Sequence, residues 1–524
     1  MCIRDRVKGL DQPIIPACLD QLWGSVFSYS GGNVIRKWPR QIPYRLSLVF
    51  GEAMPSTSKA WEVRQKVQEL AAESAISRRK DLLHLQNRFL SVARKNLFSP
   101  CISDTTGKSL NYFNTLSSTL ALASKLKSEE GDMVGILLPT SVAGVVSNLG
   151  ALFAGKVPVN LNYTASSSAL ESAVQQCGIK TIISNGEFIE KIPGELSESS
   201  RGLVQEVSSL FEFSAVEKLK AASMALLLPS FVLKRLTGFR SSPEESLATV
   251  IFSSGSTGEP KGVKLTHANI MSNIDSMYSV FQVGKKDSMI GVLPLFHAFG
   301  FTGTFWLPIL SGVRSSYHPN PLEASVIGEL VQKEKGTILM STPTFLTGFL
   351  RRCKPEQLKT LRFVITGAEK LSERLARSFQ KKFGVLPMEG YGASELSPVA
   401  VMNVPDFKDS RVEQTGNKPG TVGHPLPGVA VRVVGIEDGK LLAPGEDGLM
   451  LVKGPNVMEG YLNDEEKTAE VLQDGWYQTG DVARLDEDGF ITITDRLSRF
   501  SKICLLYTSP SPRDRTRSRM PSSA

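Results

Sequence analysis

The stretch TVIFSSGSTGEPKGVKLTHANI, Thr249 to Ile270, decides how the chain is read. A β-branched run (ATVIF) leads into SSGSTGEPKG, and a helix is expected from about Thr266. Gly255, Gly258 and Gly262 let the backbone approach an anion and turn its amides inward. Ser253, Ser254, Ser256 and Thr257 offer hydroxyl donors, and Lys261 brings a charge. Such a loop suits a polyphosphate. It is not the nucleoside-triphosphatase P-loop, which needs Gly-Lys followed by Ser or Thr, because Lys261 stands between Pro260 and Gly262. Taken alone, a Ser/Gly cluster is more often a solvated linker; the surrounding sequence decides.

Outward from the loop, strand and helix patterns alternate as in an α/β enzyme. GDMVGILLP, GKVPVNLN, CGIKTIISN, GTILMSTPTFL and LRFVITGAE read as strands, with a helix through Gly150. The most apolar run, Met133 to Val159, is interrupted by Pro139, Asn148, Lys156 and Pro158, so it reads as strand, turn and buried helix rather than a membrane span. From Gly420 short strands and tight turns indicate a β-rich subdomain. Earlier, YRLSLVFG alternates as a strand. A helix then follows with Val63, Val67 and Leu70 on one face, and Leu82, Leu85 and Phe89 form a second apolar set.

At 524 residues, with 41% hydrophobic and 21% charged residues, two or three soluble domains are expected. The formal charge of +8 includes +1 from Arg4, Asp5 and Arg6 and +3 from residues 513–519, so the middle carries +4. No basic stripe with interleaved aromatics supports nucleic-acid binding. Six scattered cysteines form no close pair, which suits a reducing cytosol, and five histidines lack metal-ligand spacing. Between Glu217 and Arg240, the apolar stretch Ala221 to Leu233 is bounded by Lys218, Lys220, Lys234 and Arg235. It is too short to cross a bilayer; an interfacial helix and a buried helix broken at Pro229 both stay open.

Seven ordered motifs resemble the AMP-forming adenylating enzymes, the superfamily of acyl-CoA synthetases, luciferases and peptide-synthetase adenylation domains. They are the loop itself, LPLFHAFGFT (Leu293 to Thr302), VITGAEKL (Val364 to Leu371), EGYGASELSP (Glu389 to Pro398), GTVGHPLPG (Gly420 to Gly428), DGWYQTGD (Asp474 to Asp481) and GFITITDR (Gly489 to Arg496). The resemblance implies an α/β fold, with two α/β subdomains and a β-rich one, and the cofactors ATP and Mg²⁺. Glu395 would ligand the Mg²⁺, as a hard carboxylate should. Ser394 would present its hydroxyl to the α-phosphate. Tyr391, flanked by Gly390 and Gly392, would stack on adenine, with Gly367, Ala368 and Glu369 lining the same pocket. Asp481 would accept from both ribose hydroxyls, and Arg496 would sit near the ribose and the hinge. His297 would border the carboxylate site, and Ser253 replaces a common threonine. Catalytic roles then fall to Lys261, Glu395, His297 and Thr257. Each has a bland alternative: Tyr391 as a core aromatic, Glu395 as a helix cap, His297 as a satisfied loop histidine.

Residues 13–55 resemble the last part of the glycerolipid acyltransferase domain that precedes the synthetase in bacterial bifunctional acyl-ACP synthetase/lysophospholipid acyltransferases, without its His-x-x-x-x-Asp. The expected layout is 1–6 foreign, 7–75 acyltransferase remnant, 76–97 helical linker, 98–487 adenylation domain, 488–503 the start of a C-terminal subdomain, and a foreign tail over 504–524. A natural basic tail is the alternative for the last. On this layout the C-terminal catalytic lysine of the family is absent, and the chain is expected to bind ATP but form acyl adenylate poorly. The fusion implies activation of long-chain fatty acids and their transfer to acyl carrier protein, in the cytoplasm at the inner face of a bacterial plasma membrane. A long-chain fatty acid–CoA ligase, with coenzyme A as acceptor, is the first alternative; a non-catalytic nucleotide-sensing membrane scaffold is the second.

Overall fold

The computed structural model describes residues 11–22, 46–237, 241–253, 260–408 and 413–497. A nine-stranded sheet organises the molecule. Its centre is a parallel run in the spatial order Pro100–Asp104, Arg314–Tyr317, Ser288–Gly291, Ile338–Ser341, Phe363–Thr366 and Met388–Gly392. Short antiparallel strands close both edges: Ser109–Asn111 on one side, Val399–Met402 and His424–Pro425 on the other. Most interior strands are apolar and buried, as parallel strands covered on both faces must be; Arg314–Tyr317 is the exception, burying Ser315 and Ser316.

From Ser288–Gly291 the chain adds Arg314–Tyr317 on one side, then crosses back to add Ile338–Ser341 on the other. This reversal opens a crevice beyond the carboxyl ends of the strands, where ligands bind in open α/β sheets. The segment Phe299–Trp306 just beyond Ser288–Gly291 winds as a wide π-helical turn and buries Phe301, Phe305 and Trp306. Gly300 is required there: a Cβ would lie 2.1 Å from the carbonyl oxygen of Pro294.

A second, parallel sheet of four strands has the order Val157–Asn160, Met133–Ile136, Thr181–Ser184 and Val204–Glu206. The run Met133 to Val159 is therefore strand, buried helix (Val142–Phe153) and strand, as its punctuation implies. The β-rich part is a five-stranded antiparallel sheet built from Ala430–Val434, Asp447–Lys453, Trp476–Leu485, Leu472–Gln473 and Ile491–Arg496. The α/β class and the three-part division both stand.

The helix Ala60–Ser77 shows how a pattern can mislead. Of the expected face only Leu70 is fully buried, while Gln65, Glu69, Ala72 and Ser74 turn inward. The cause is its partner. Glu69 accepts from Arg432 Nε at 2.6 Å, and the Arg432 guanidinium lies 4.3 Å from the Trp476 ring, so an ion pair and two alanine-sized contacts dock the helix on the β-rich sheet. A paired carboxylate is tolerated inside where an unpaired one is not. Leu85, Phe89, Leu90 and Ala93, from the stretch expected to be a linker, lie in the main core. The strands Ala17–Asp20 and Ser47–Phe50 pair antiparallel; residues 23–45, which carry much of the acyltransferase-like stretch, lie outside the described residues, as do 1–10 and 498–524 with both stretches expected to be foreign.

Candidate active site

A cavity of about 350 Å³ sits at the carboxyl ends of the parallel strands. Each wall begins where a strand stops: Leu293 and Pro294 after Ser288–Gly291, Thr342 and Phe345 after Ile338–Ser341, Gly367 and Ala368 after Phe363–Thr366, and Gly390 to Ser394 around the end of Met388–Gly392. Of the residues singled out in the sequence, His297, Gly367, Ala368, Gly390, Tyr391, Gly392 and Ser394 all line this one space. Ala368 holds φ at +67°, in the left-handed region that a side chain seldom occupies. Strain of this kind persists where the surroundings enforce it, and here it turns the backbone at the cavity wall.

Tyr391 is fixed from outside the cavity. Its hydroxyl donates to Asp481 Oδ2 at 2.5 Å, and Arg496 Nε approaches the other oxygen, Oδ1, at 3.6 Å. Asp481 and Arg496 face each other across the antiparallel pair Trp476–Leu485 and Ile491–Arg496. Burial, reinforced by the Asp481 carboxylate, pushes the Tyr391 phenol well above its ordinary pKa, so it remains a donor. The β-rich subdomain thus delivers a carboxylate and a guanidinium to the edge of a pocket built by the main sheet.

Glu395, on the short turn Ser394–Leu396, is buried and accepts from the Tyr461 hydroxyl at 2.9 Å through Oε1. Lys261 Nζ lies 5.2 Å from the centre of the same Tyr461 ring. Both groups therefore gather about one aromatic. Tyr461 was not singled out in the sequence; it arrives because Gly460–Tyr461 pairs with Val263–Lys264, a contact with no local signature. Thr342, Phe345, Thr366 and Met402 are likewise cavity residues that the motifs did not reveal.

The loop closes differently from a helix-entering phosphate loop. Ser253 and Lys261 are directly opposed residues of an antiparallel hairpin, Leu247–Ser253 with Lys261–Thr266, and only then does helix His267–Phe281 begin, capped by Thr266. Ser254, Gly255, Ser256, Thr257 and Gly258 lie outside the described residues. Glu369 does not line the cavity; its carboxylate accepts from the Thr344 hydroxyl at 2.6 Å and the Thr344 amide at 3.2 Å.

His297 is an exposed residue at the rim of the cavity, and the protein atoms around it lower its pKa from the ordinary value by partial desolvation. Its neutral imidazole can accept as well as donate. Nearby Glu389 accepts from the Leu371 amide at 3.0 Å, and burial pushes its pKa to about 6. A raised carboxyl pKa means that its stabilising contribution is complete below about 4.5 and is lost as pH rises through about 6. Glu389→Gln keeps the acceptor without the charge. We expect it to flatten the stability profile between those values and to raise stability at neutral pH by roughly 1–2 kcal/mol. Urea unfolding at several pH values measures this, and an unchanged profile refutes it.

Among the described residues no cluster of three or more His, Cys, Asp or Glu side chains is placed to hold a metal ion. Glu395 fits a different arrangement, in which one carboxylate and substrate phosphates share a cation that keeps several waters.

A family model described as AMP-binding enzyme matches residues 91–462. The chain is 32% identical over 419 residues to a long-chain-fatty-acid–CoA ligase of Bacillus subtilis, covering 74% of this chain and 72% of that one. It is 31% identical over 377 residues to the medium-chain fatty-acid–CoA ligase of Escherichia coli, covering 70% and 64%. Among solved structures, ATP-bound MatB from Rhodopseudomonas palustris superposes with a TM-score of 0.65 at 25% identity over 80% of each chain. An anthranilate CoA ligase holding anthranoyl-AMP shares the fold, with a TM-score of 0.69 at 22% identity over 81% of this chain and 80% of the other.

Proposed function

The chain belongs to the AMP-binding enzyme family, and from that premise we propose that it joins a long-chain fatty acid to AMP and then to a thiol. The observation that carries the reading is the junction at Tyr391: a phenol at the wall of a strand-end cavity, tied to an Asp481 carboxylate that has further lone pairs for a ribose. Tyr391 presents its ring to adenine against Gly367 and Ala368, and Asp481 accepts from the ribose hydroxyls with Arg496 beside it. Ser253, Lys261 and the loop between them meet the phosphates. Glu395 would hold Mg²⁺ with its free carboxylate oxygen, and that ion when bound neutralises charge on the triphosphate.

The fatty carboxylate oxygen attacks the α-phosphorus, the bond from that phosphorus to the β-phosphate bridging oxygen breaks, and pyrophosphate leaves with the electron pair. Lys261 and the loop amides offset the developing negative charge, and the Ser394 hydroxyl donates to an α-phosphate oxygen. His297, neutral at the rim, borders the acid. A thiolate then attacks the carbonyl of the mixed anhydride and expels AMP. No enzyme nucleophile takes part.

Two acceptors are supported by different observations. Coenzyme A is favoured by the relatives, which are CoA ligases. Acyl carrier protein is favoured by the acyltransferase-like stretch ahead of the adenylating region, which on this reading belongs to a parent that also acylates lysophospholipids. Incubation with palmitate, ATP and each acceptor separates them by which thioester forms, at the slow rate expected of a chain without the family's C-terminal lysine; neither product, with ATP binding also absent, sinks the proposal.

Asp481→Asn keeps the shape and an acceptor for Tyr391 but removes the charge. We expect AMP affinity to fall about 10-fold, the worth of one charge-assisted hydrogen bond. Calorimetry with 2′-deoxy-AMP tests the assignment, because the penalty should shrink when a ribose hydroxyl is already gone. Equal penalties for both nucleotides would place Asp481 away from the sugar.

A further inference from the structure

Between the four-stranded sheet and the phosphate-loop hairpin, after a short helix Val207–Phe211, stand two helices, Ala215–Leu227 and Ser230–Thr237, separated by Pro229. The first turns Ala221 and Ala225 inward. Its opposite stripe carries Val216, Leu219, Leu226 and Leu227, spaced three, seven and one apart, as one helix face requires. Val216 is 75%, Leu219 70% and Leu227 79% exposed, and Phe231 on the second helix is 73% exposed. A contiguous run of large apolar side chains held in water marks a contact surface.

The pair is held on its inner side by definite bonds. Arg94 donates to the carbonyl oxygens of Met224, Ala225 and Leu228 and to Ser230 Oγ. Lys127 Nζ donates to the carbonyl oxygen of Leu236, and just ahead of the pair Lys125 Nζ donates to those of Ser209 and Glu212. Leu233 is buried. The outward apolar face is thus a fixed feature of the fold, and exposed Lys218, Lys220 and Arg235 flank it. The acidic residues next to the helical pair are Glu212 and Glu217, with Glu244 and Glu245 farther on beside the hairpin; the Glu217 carboxylate is occupied by the Ser214 amide at 2.7 Å.

We infer that this helical pair docks the protein on an anionic lipid surface. Apolar side chains enter the boundary between head groups and acyl chains, and the lysines and arginine stay at head-group level, their stems along the apolar face. No helix among the described residues is long and apolar enough to cross a membrane, and the first helix, of 13 residues, spans only about 20 Å. Contact is with one leaflet. Charge complementarity selects the anionic bilayer over a neutral apolar partner. The inference does not depend on the adenylating reading, because nucleotide affinity is measured separately.

The test is co-sedimentation of the full chain with vesicles of phosphatidylcholine mixed with phosphatidylglycerol, and with phosphatidylcholine alone. Binding to the mixed vesicles is expected, weakening at high salt. Leu219→Asp, Leu227→Asp and Phe231→Asp combined should lower the partition coefficient about 10-fold or more, with melting temperature and ATP affinity as in the parent. Lys220→Glu with Arg235→Glu should remove the preference for the anionic lipid. That pair and the salt series decide the matter should the triple variant not fold. Failure of the parent to bind mixed vesicles overturns the inference, as does binding unaffected by both sets of changes. A dimer dissociated by the same substitutions, with no vesicle binding, would assign the face to a second copy of the chain.

Discussion

Glu395→Gln is expected to lower fatty-acid-dependent ATP–pyrophosphate exchange by about 10²- to 10³-fold, the usual cost of removing one preorganised charge from a transition state. The change is nearly isosteric, and the amide oxygen can still accept from Tyr461, whose hydroxyl lies 2.9 Å from Oε1. Stability should therefore hardly move. What disappears is the negative charge of the second oxygen, the group proposed to hold Mg²⁺. A binding measurement separates this from a generic defect. ATP affinity in the presence of Mg²⁺ should fall, while affinity in excess chelator should match the parent. Parental exchange in the variant would remove Glu395 from the reaction; equal losses with and without Mg²⁺ would make it a structural residue.

Tyr461→Phe supplies the complementary case. It leaves the charge on Glu395 but withdraws the donor that orients it, so exchange should fall by about one order of magnitude, with the Mg²⁺ requirement retained. The two losses should not add, because both act through one carboxylate.

The parts of this site that were legible in the sequence share a physical reason. Gly367, Ala368, Gly390, Gly392 and Ser394 stand where apolar strand patterns end, and the carboxyl ends of parallel strands converge on one crevice. Small residues at those ends leave room for a ligand, so position along the chain translates directly into position around the cavity. Three features were not legible. The helix expected from about Thr266 begins at His267, but the strand Lys261–Thr266 ahead of it carried no signal; it forms because Val263 and Leu265 find buried places in an antiparallel hairpin with Leu247–Ser253. Glu369 keeps its motif position, yet its charge is spent on Thr344, a residue from the helix after the neighbouring strand. Tyr461 owes its place to pairing across nearly two hundred residues of chain. The inward face of Ala60–Ser77 failed for the same kind of reason: a hydrophobic pattern cannot register that Arg432 waits in another subdomain to meet Glu69. Local periodicity reports burial against apolar neighbours and is silent about specific polar partners.

Gly392→Ala should be the most disruptive single methyl in the site. Gly392 ends the strand Met388–Gly392 opposite Val399, and a Cβ built on it would lie 1.8 Å from the carbonyl oxygen of Pro398. That oxygen already accepts from the Ala393 amide at 3.0 Å. The obstacle is backbone, so no side-chain rotation relieves it, and the 392–399 turn has to open. A loss of about 3 kcal/mol or more in unfolding free energy is expected, at the upper end of overpacking effects. Because Ser394 and Glu395 ride on that turn, ATP affinity should fall with it. Gly284→Ala is the control: nothing lies within 4 Å of the place its methyl would take, and its change should stay within about 0.5 kcal/mol. Urea midpoints for the two variants, read beside ATP titrations, give the comparison. If Gly392→Ala melted with the control and bound ATP as the parent does, the turn would be free to move, and it could not be what holds Glu395 in place beside Tyr461.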